Sequence, residues 1–281
     1  MPVRRARPAE TARRVWLSGS AAGETLVTAG LQLIAVPGIP LLQAGDDLAG
    51  LIVTGMATAG LALQDHDVVV IAQKVVSKVE GRFVDLASVV PSPRAVSLAR
   101  EVQKDPRLVE VILSESRRIV RSGKDVLIIE HRLGFVMANA GVDQSNVADP
   151  RGRQLALMLP QDPDASAAQL RGELQRRFGC ELGVIINDSF GRPWRLGTVG
   201  VAIGCAGLPA LLDLRGDADL FGRTLQVTVV AYADEIAAAA SLLMGQADEA
   251  RPVIVVRGLV RRGRGQPASS LIRQPEEDLF R

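Results

Sequence analysis

The residues best suited to chemistry lie in the segment 184–197, which reads VIINDSFGRPWRLG. Its apolar start is typical of a strand, and the sequence predicts that this strand delivers Asp188 and Ser189 into a loop that also carries Arg192 and Arg195. A carboxylate beside a hydroxyl supplies the hard oxygen ligands that Mg²⁺ and Mn²⁺ prefer. The arginines are suited to phosphate. The segment therefore predicts a metal site next to bound phosphate.

A second segment has a similar organisation. Residues 126–130 (VLIIE) and 135–138 (FVMA) are typical of a strand hairpin, and the loop 139–147 follows it. Asp143 is the single charged residue of this loop, whereas a solvated loop usually carries mixed charge. The alternative is that Asp143 and Asp188 are turn residues whose side chains bond their own backbone. Together, the two loops favour a site.

A basic segment follows the predicted buried strand 68–72 (VVVIA). It spans residues 73–82 (QKVVSKVEGR) and carries Lys74, Lys78 and Arg82. Strand ends are where α/β proteins place ligand-binding groups, and these cations could neutralise phosphates. An ordinary charged edge strand, protected by its lysines, explains the same pattern. The residues alone leave both interpretations open.

Composition excludes several classes of protein. The chain has 281 residues, of which 47% are hydrophobic, so it can bury a large core in one large domain or two. A net charge of +2 gives no reason to expect a polyanionic partner, and six Phe, two Trp and one Tyr offer few platforms for stacking bases. The uncharged segment 48–64 falls short of the ~20 apolar residues of a membrane span. We therefore predict no nucleic-acid partner and no membrane insertion.

The cysteines and histidines predict neither a zinc site nor covalent catalysis. Cys180 and Cys205 are the only cysteines, and they are expected to be reduced thiols of a cytoplasmic protein. His66 and His131 lie beside strand ends among charged neighbours, where a structural role is the commoner one. The chain contains no P-loop and no GxGxxG after a strand. The residues alone thus indicate an α/β or α+β enzyme that uses a divalent metal on a phosphorylated substrate.

The remaining sequence predicts the scaffold and its limits. Residues 1–30 have a basic start and are expected to form a disordered extension, residues 31–258 the folded domain, and residues 259–281 an exposed C-terminal segment. The predicted strands besides those above are 31–36, 225–233 and 252–256, and the predicted helices are 46–63, 91–104, 106–121, 164–178 (with Asp164 as cap) and 234–245. The glycines of 197–207 allow close approach, either to a neighbouring element or to a ligand.

Several segments together resemble a known family. They are VPGIPLLQAGDDL (36–48), VVSKVEGR (75–82), NAGVDQSNV (139–147), IINDSFGRPWRLGTVGVAIG (185–204), FGRTLQVTVVAYADEIAAAASLLMGQ (221–246) and VIVVRG (253–258). In this order they are similar to the coenzyme F-420-0:L-glutamate ligase (F-420 gamma-glutamyl ligase) family, from about residue 32 to 258. The C-terminal EEDLFR is similar to the point where some relatives continue into a nitroreductase-like domain, so the resemblance is to a stand-alone ligase domain.

The resemblance implies an α+β fold with a mixed sheet, and a homodimer whose sites lie near the subunit contact. It implies an acid–amino-acid ligase that uses GTP to add L-glutamate to F-420-0, a deazaflavin whose phosphodiester side chain ends in a carboxylate. The first glutamate is added by an amide bond and later ones are γ-linked. The implied route runs through an acyl phosphate, which suits a site built for charge neutralisation.

The resemblance also assigns residues. It implies a metal shell for Mg²⁺ or Mn²⁺, with K⁺ as a further candidate, formed by Asp143, Asp188, Ser189 and Gln246. The implied GTP contacts are Ile39, Pro40, Leu41, Leu42, Gln73, Lys74, Lys78, Asn146, Met244, Gly245, Gln246, Ala247, Asp248, Glu249, Ala250 and Arg251. Lys78 is a candidate catalytic residue through its phosphate role. Arg192 and Arg195 are further candidates, on charge alone, for steadying the acyl phosphate or the substrate phosphodiester.

Two other classes of function stay open. A metal-dependent phosphatase or phosphotransferase on the same fold would also use Asp143 and Asp188, but it would release phosphate or GDP without needing glutamate. A non-catalytic nucleotide-binding partner of a separate deazaflavin enzyme would bind GTP without turnover.

Overall fold

The computed structural model describes residues 30–147, 152–260 and 263–279, with the exception of the side chain of Arg192. The extension predicted for residues 1–30 lies outside these ranges except for Gly30. From Leu31 onward the chain forms one unit.

Strands and helices are mixed along this unit. The helices are α1 (Leu48–Thr58), α2 (Gln73–Val79), α3 (Pro93–Val102), α4 (Pro106–Ser114), α5 (Pro163–Phe178) and α6 (Tyr232–Met244). The strands are β1 (Gln32–Ala35), β2 (Val68–Ala72), β3 (Phe83–Asp85), β4 (Ser116–Gly123), β5 (Val126–His131), β6 (Val136–Ala138), β7 (Leu155–Leu157), β8 (Gly183–Arg192), β9 (Arg195–Ala206), β10 (Leu212–Asp213), β11 (Val229–Val230) and β12 (Val253–Arg257).

A five-stranded mixed sheet forms the centre of the fold, with strand order β1-β12-β2-β8-β9. Its neighbours pair antiparallel except for β2 and β8, which run parallel. Smaller antiparallel sheets are β4-β5-β6, β3-β7 and β10-β11. The predicted α+β class with a mixed sheet is therefore confirmed.

The apolar runs of β2, β8 and β12 follow from burial on both faces of this sheet. In β2, Val69 and Ile71 join a core cluster with residues of α1 and α5, whereas Val68 and Val70 join a cluster with residues of α6. A strand covered on both faces has no need of alternating polar residues. Full burial of such side chains contributes about 1.5–3 kcal/mol each, which makes this three-layer core the main source of stability.

Two glycines of β9 allow the helices to approach the sheet closely. A Cβ at Gly200 would lie 2.1 Å from Ser241 Oγ and 2.6 Å from the carbonyl oxygen of Ala237, both in α6. A Cβ at Gly204 would lie 2.3 Å from the carbonyl oxygen of Pro163 in α5. At these two positions the glycine pattern therefore reflects helix packing against the strand.

Helix α1 is shorter than predicted, and the cap predicted for α5 is wrong. Helix α1 begins after its cap Asp47 and ends at Thr58, and none of the helices in the described ranges combines the length and apolarity needed to cross a bilayer. Helix α5 is capped by Asp162, whose carboxylate accepts from the N–H of Ala165. Asp164 instead accepts backbone N–H bonds from other elements, so its side chain is already used for tertiary contacts.

Those contacts involve the C-terminal segment. The Asp164 carboxylate accepts from the N–H of Cys205 at 2.9 Å and of Ala268 at 2.7 Å. Ala268 is fully buried and packs in the cluster on the α6 side of the sheet. One part of the segment 259–281, predicted to be exposed, therefore packs on the domain.

The helix predicted for residues 106–121 is wrong beyond Ser114. Residues 116–123 form β4, which pairs antiparallel with β5 across two register irregularities. Arginine is a good helix former, but the pairing with the apolar strand β5 overrides this local preference. Leu127 and Ile129 of β5 are fully buried in a separate core that also contains Ile112 of α4.

The long strand predicted for residues 225–233 is also wrong. Only Val229–Val230 forms a strand, which pairs with the two-residue β10, and α6 begins at Tyr232. Val227 is 85% exposed. A strand needs a neighbour for its backbone groups, and β10 offers only two residues of pairing.

A buried charge cluster joins β5 to the segment after α4. Glu115 lies 3.3 Å from Arg82 Nη2, 3.0 Å from Arg132 Nε and 3.3 Å from His131 Nε2. Burial by itself would raise the pKa of Glu115, but His131, Arg132 and Arg82 together lower this pKa to about 2. His131 also accepts from the N–H of Leu133 through Nδ1, so its predicted structural role, not a ligand role, fits the geometry.

We predict that Glu115→Gln lowers the free energy of unfolding by about 3 kcal/mol at neutral pH, because the pKa shift of Glu115 corresponds to that amount. The folded pKa is depressed, so the stabilisation is complete above the ordinary value of 4.5 and disappears as the pH falls toward about 2. Chemical denaturation across this pH range measures both effects. Glu276→Gln, at an exposed position, is the control, and equal losses in both variants would contradict the prediction.

Candidate active site

The parallel pairing of β2 and β8 creates the site. Ala72, the last residue of β2, pairs with Asn187 of β8. Helix α2 begins at the next residue, so the segment left open as an edge strand or a phosphate-binding segment is a helix. Its Lys74 and Lys78 lie one helical turn apart and therefore share a face. This arrangement brings the start of α2 beside Asp188.

Asp188 and Ser189 lie within a strand, not in a loop. Strand β8 continues to Arg192 and pairs with β9, so the loop predicted here is wrong. The apolar run ends at Ile186 because the core ends there, but backbone pairing with β9 continues beyond the core. A register irregularity follows Ile186, and such bulges often re-aim side chains near active sites.

Asp143 lies in a turn that brings its carboxylate close to α2 and Asp188. The segment from Asn139 to Asn146 includes three non-glycine residues with positive φ, Asn139, Ala140 and Asn146. Asp143 forms an isolated bridge with Leu157. Its carboxylate accepts from the N–H of Ser145 at 2.7 Å and from Ser145 Oγ at 2.8 Å. The side chain therefore bonds its own turn, as the alternative interpretation expected. These bonds still allow the carboxylate to contact Lys74.

Lys74 connects the Asp143 turn to α2. Its Nζ lies 2.6 Å from Asp143 Oδ2 and donates to Ser145 Oγ at 2.7 Å. Lys78 Nζ donates to the carbonyl oxygen of Asn146 at 2.8 Å. Burial, followed by the nearby charge of Lys74, lowers the pKa of Lys78. Two ammonium groups are thereby held at one loop.

The charge of Asp143 affects the pKa of Asp188, but only Asp143 forms an ion pair with a described cationic side chain. Burial raises the pKa of Asp188 to about 6; the N–H of Ser189 and the charge of Lys74 oppose this rise, and the charge of Asp143 adds to it. Burial also acts on Asp143, but bonds from Lys74 and Ser145 leave its pKa below the ordinary value. Among the described cationic side chains, none forms an ion pair with Asp188.

The C-terminal end of α6 completes the cluster. Ser189 Oγ lies 2.6 Å from Gln246 Oε1, two residues beyond the end of α6. Asn187 Nδ2 donates to Ser241 Oγ at 2.9 Å and lies 3.6 Å from the sulfur of Met244. Asn187 thus holds α6 on β8. Neither this contact nor the bonds of Ser145 was predicted, since only the tertiary structure brings these residues to their partners.

The other predicted nucleotide contacts differ in how deeply they are buried. Gln73 is buried and donates to Ser77 Oγ at 2.8 Å. Leu42 is buried in the core and Leu41 is 89% exposed, and Pro40 lines a surface cavity of about 510 Å³. Ile39 packs against the same core as Leu42.

The loop after α6 is held by its own contacts. The N–H of Ala247 donates to Glu249 Oε2 at 2.8 Å, and Arg251 Nη1 donates to the carbonyl oxygen of Leu243 at 3.5 Å. Gly245 has φ +78° and ψ −179°, a backbone conformation that only glycine adopts readily. Asp248 and Ala250 are exposed in this loop. It borders the cluster through Gln246.

The hairpin that joins β8 to β9 carries the predicted arginines away from the core. Arg195 is exposed, as are Trp194 (87%) and Leu196 (98%). Arg192 pairs with Arg195 through the backbone. Arg195 is therefore accessible to a ligand, but the described contacts do not join it to Asp143 or Asp188.

The donor set is compatible with a hard divalent cation. Two carboxylates, a hydroxyl and an amide oxygen are the oxygen ligands that Mg²⁺ and Mn²⁺ take. In the described ranges no three His, Cys, Asp or Glu residues cluster as metal ligands, so a cation here would depend on Ser189, Gln246 and substrate oxygens as well. Burial raises the pKa of Asp188, and the N–H of Ser189 and the charge of Lys74 do not fully offset this rise.

We predict opposite stability effects for the two aspartates. Because the folded pKa of Asp188 is raised to about 6, its ionised form destabilises the fold above that pH, and the cost is absent below the ordinary value of 3.8. In the presence of a metal chelator, Asp188→Asn should raise the free energy of unfolding by on the order of 3 kcal/mol well above pH 6. Asp143→Asn should lower it, because Lys74 loses its partner. Urea denaturation of both variants tests this, and changes of the same sign would contradict it.

Comparisons with known proteins identify the family of this chain. A model of the family F420-0:Gamma-glutamyl ligase matches residues 38–258. The protein named Coenzyme F420:L-glutamate ligase from Methanothermobacter thermautotrophicus is 50% identical over 256 residues, covering 90% of this chain and 99% of the relative. Its namesake from Methanopyrus kandleri is 48% identical over 259 residues, covering 90% and 99%. The one from Archaeoglobus fulgidus is 41% identical over 251 residues, covering 89% and 96%.

The matched range contains every element of the central sheet except β1, together with Asp143, Asp188, Ser189 and Gln246. Identities of this size over nearly the whole length of the relatives leave no room for a chance match of single motifs, and the chain belongs to the F420-0:gamma-glutamyl ligase family.

Proposed function

We propose that this chain is a GTP-dependent ligase that adds L-glutamate to the deazaflavin coenzyme F-420-0, first by an amide bond and then in γ-linkage. Family membership and the names of the relatives support the glutamate ligation. The observation that carries the proposal for this chain is the convergence of Asp143, Asp188, Lys74 and Lys78 at the end of the parallel strands.

The proposed reaction has two steps. In the first, the terminal carboxylate of F-420-0 attacks the γ-phosphorus of GTP, and an acyl phosphate and GDP are formed. In the second, the amine of glutamate attacks the acyl carbon, phosphate leaves with the C–O electron pair, and the amine loses a proton. Neither step needs a covalent bond to the enzyme, in agreement with a site of charged and hydrogen-bonding groups.

The chain's own groups contribute charge and position. Lys78 is held at the Asn146 carbonyl on a partly buried helix face, where its ammonium can neutralise a phosphate. Arg192 and Arg195, on the hairpin beyond Ser189, are assigned to the acyl phosphate or the substrate phosphodiester on charge. Asp143, Asp188, Ser189 and Gln246 are assigned to Mg²⁺ or Mn²⁺, which would polarise the phosphate oxygens, and K⁺ is a further candidate.

The resemblance also leads us to propose a homodimer. Leu220, Phe221 and Val227 are between 79% and 85% exposed. Exposed apolar side chains grouped in one segment are typical of interaction surfaces. A second copy of the chain packed on this segment would bury these apolar side chains.

A single assay tests the activity. GDP release is measured with GTP, Mn²⁺ and F-420-0, with and without L-glutamate, and the product is weighed by mass spectrometry. Glutamate-dependent release with a mass gain of one glutamyl unit supports the ligase. Release that is indifferent to glutamate would identify a phosphotransferase or phosphatase, and GTP binding without turnover would identify a non-catalytic partner.

We predict that Asp143→Asn and Asp188→Asn abolish this turnover, because each removes one of the two carboxylates assigned to the cation. Circular dichroism should show that both variants fold. Asp125→Asn, at an exposed position in the β4–β5 turn, should keep wild-type activity. Full turnover by either site variant would remove that residue from the metal shell.

We predict that Lys78→Ala raises the KM for GTP by about tenfold or more, since loss of a charge-assisted contact to phosphate costs about 1.5–3 kcal/mol. The KM for glutamate should change little. Lys124→Ala, which removes an exposed lysine of the β4–β5 turn, is the matched control. An unchanged KM for GTP in Lys78→Ala would exclude the phosphate role.

A further inference from the structure

The hairpin that joins β8 to β9 has an exposed tryptophan at its tip. Strand β8 ends at Arg192 and β9 begins at Arg195, so Pro193 and Trp194 form the two-residue connection. Trp194 has a positive φ of 65° and is 87% exposed. Bulky residues rarely adopt this backbone conformation, and an exposed indole adds nothing to the hydrophobic core. Stability therefore does not explain this residue, and strained positions of this kind are common where a protein holds a ligand.

The surface between this tip and the proposed reaction centre is open. Gly191 and Gly197 lie on the two strands of the hairpin, and a Cβ added at either one would have no heavy atom within 4 Å. Thr198, which pairs with Gly191, is exposed. Ser189 lies three residues before the end of β8, a separation of about 10 Å at ~3.3 Å per residue. An extended ligand therefore fits along the hairpin between Ser189 and the tip.

The proposed substrate carries its chemical groups in a matching order. In F-420-0 the reacting carboxylate is followed by a phosphodiester and then, at the other end, by the flat deazaflavin ring. The chain between the carboxylate and the ring is about ten bonds long and spans about 12 Å when it is extended. With the carboxylate at Ser189, the ring reaches the hairpin tip and the phosphodiester lies between them.

The tip also has the charge that this substrate requires. Arg195 is exposed, and no hydrogen bond or ion pair joins its side chain to another residue in the described ranges. Arg192 pairs with it through the backbone, which brings a second basic residue to the same place. A guanidinium beside an aromatic side chain suits a phosphodiester that is joined to a flat ring. An apolar contact with a second copy of the chain would not need this charge.

We propose that the hairpin tip holds the deazaflavin end of F-420-0, with the Trp194 indole stacked on the ring and the Arg195 guanidinium at the phosphodiester. This inference rests on the proposed ligase function and deepens it, because it names the part of the site that recognises the ring. The ring takes no part in the new amide bond. Trp194 is thus a substrate-binding residue, and its loss affects affinity more than the chemical step.

The test is calorimetric titration of the full-length protein with F-420-0, in the presence of Mn²⁺ and a GTP analogue that cannot transfer its γ-phosphate. Trp194→Ala should raise the Kd for F-420-0 about tenfold or more, because loss of aromatic stacking on a flat ring has an effect of this size. Trp194→Phe should retain most of the affinity, since a phenyl ring also stacks. Val90→Ala, which shortens another exposed apolar side chain, should bind F-420-0 as the wild type does.

A ring-free analogue locates the contact. It keeps the carboxylate and the phosphodiester and has a methyl group in place of the deazaflavin part. Trp194→Ala should bind this analogue as tightly as the wild type does, because the group that Trp194 contacts is missing. Arg195→Gln should bind both F-420-0 and the analogue more weakly.

The outcomes separate this inference from the proposed function. An unchanged Kd for F-420-0 in folded Trp194→Ala, or equal losses for F-420-0 and the analogue, would overturn the role of Trp194 and leave the ligase intact. A changed oligomeric state of this variant in light scattering would assign the tip to a contact between copies and would also overturn it. No binding of F-420-0 by the wild type would overturn the proposed function itself. If Trp194→Ala does not fold, the same results with Trp194→Leu decide.

Discussion

The parallel pairing of β2 with β8 is the contact on which the rest of the site depends. It sets Ala72 beside Asn187, so that the start of α2 and the Asp188 side chain share one end of the sheet. Parallel neighbours need a long crossover connection. Here that connection includes the β3-β7 and β4-β5-β6 sheets and four helices, and it carries Asp143 back to the same end. One backbone pairing therefore brings together residues that are far apart in sequence.

The charges gathered there are unequally compensated. Asp143 has Lys74 and Ser145 as partners, whereas Asp188 has a single backbone N–H bond and a raised pKa. A folded protein can retain such a group only because other interactions stabilise it, and the strands buried on both faces supply that stability. The Glu115 cluster shows the contrasting case. There, three basic side chains surround one carboxylate, and the interaction stabilises the scaffold.

Helix α6 contributes to the site through its packing on the sheet. The absence of a side chain at Gly200 lets the helix approach β9, and Asn187 bonds Ser241 on the inner face of the helix. The end of α6 is thereby fixed where Gln246 meets Ser189. The alanines that precede this end are largely buried in the same interface. Close packing of small residues thus sets the position of a polar group.

The sequence by itself determined the elements whose signals are local: the apolar strand β2, the β5–β6 hairpin and the candidate oxygen ligands. It failed where pairing partners decide, because β4 is a strand only beside β5, and residues 225–233 lack a partner beyond β10. Only the tertiary structure decided that β8 continues past the core and that Lys74 contacts Asp143. Local patterns record burial and backbone preference, whereas the charge that surrounds a carboxylate depends on residues brought together by the fold.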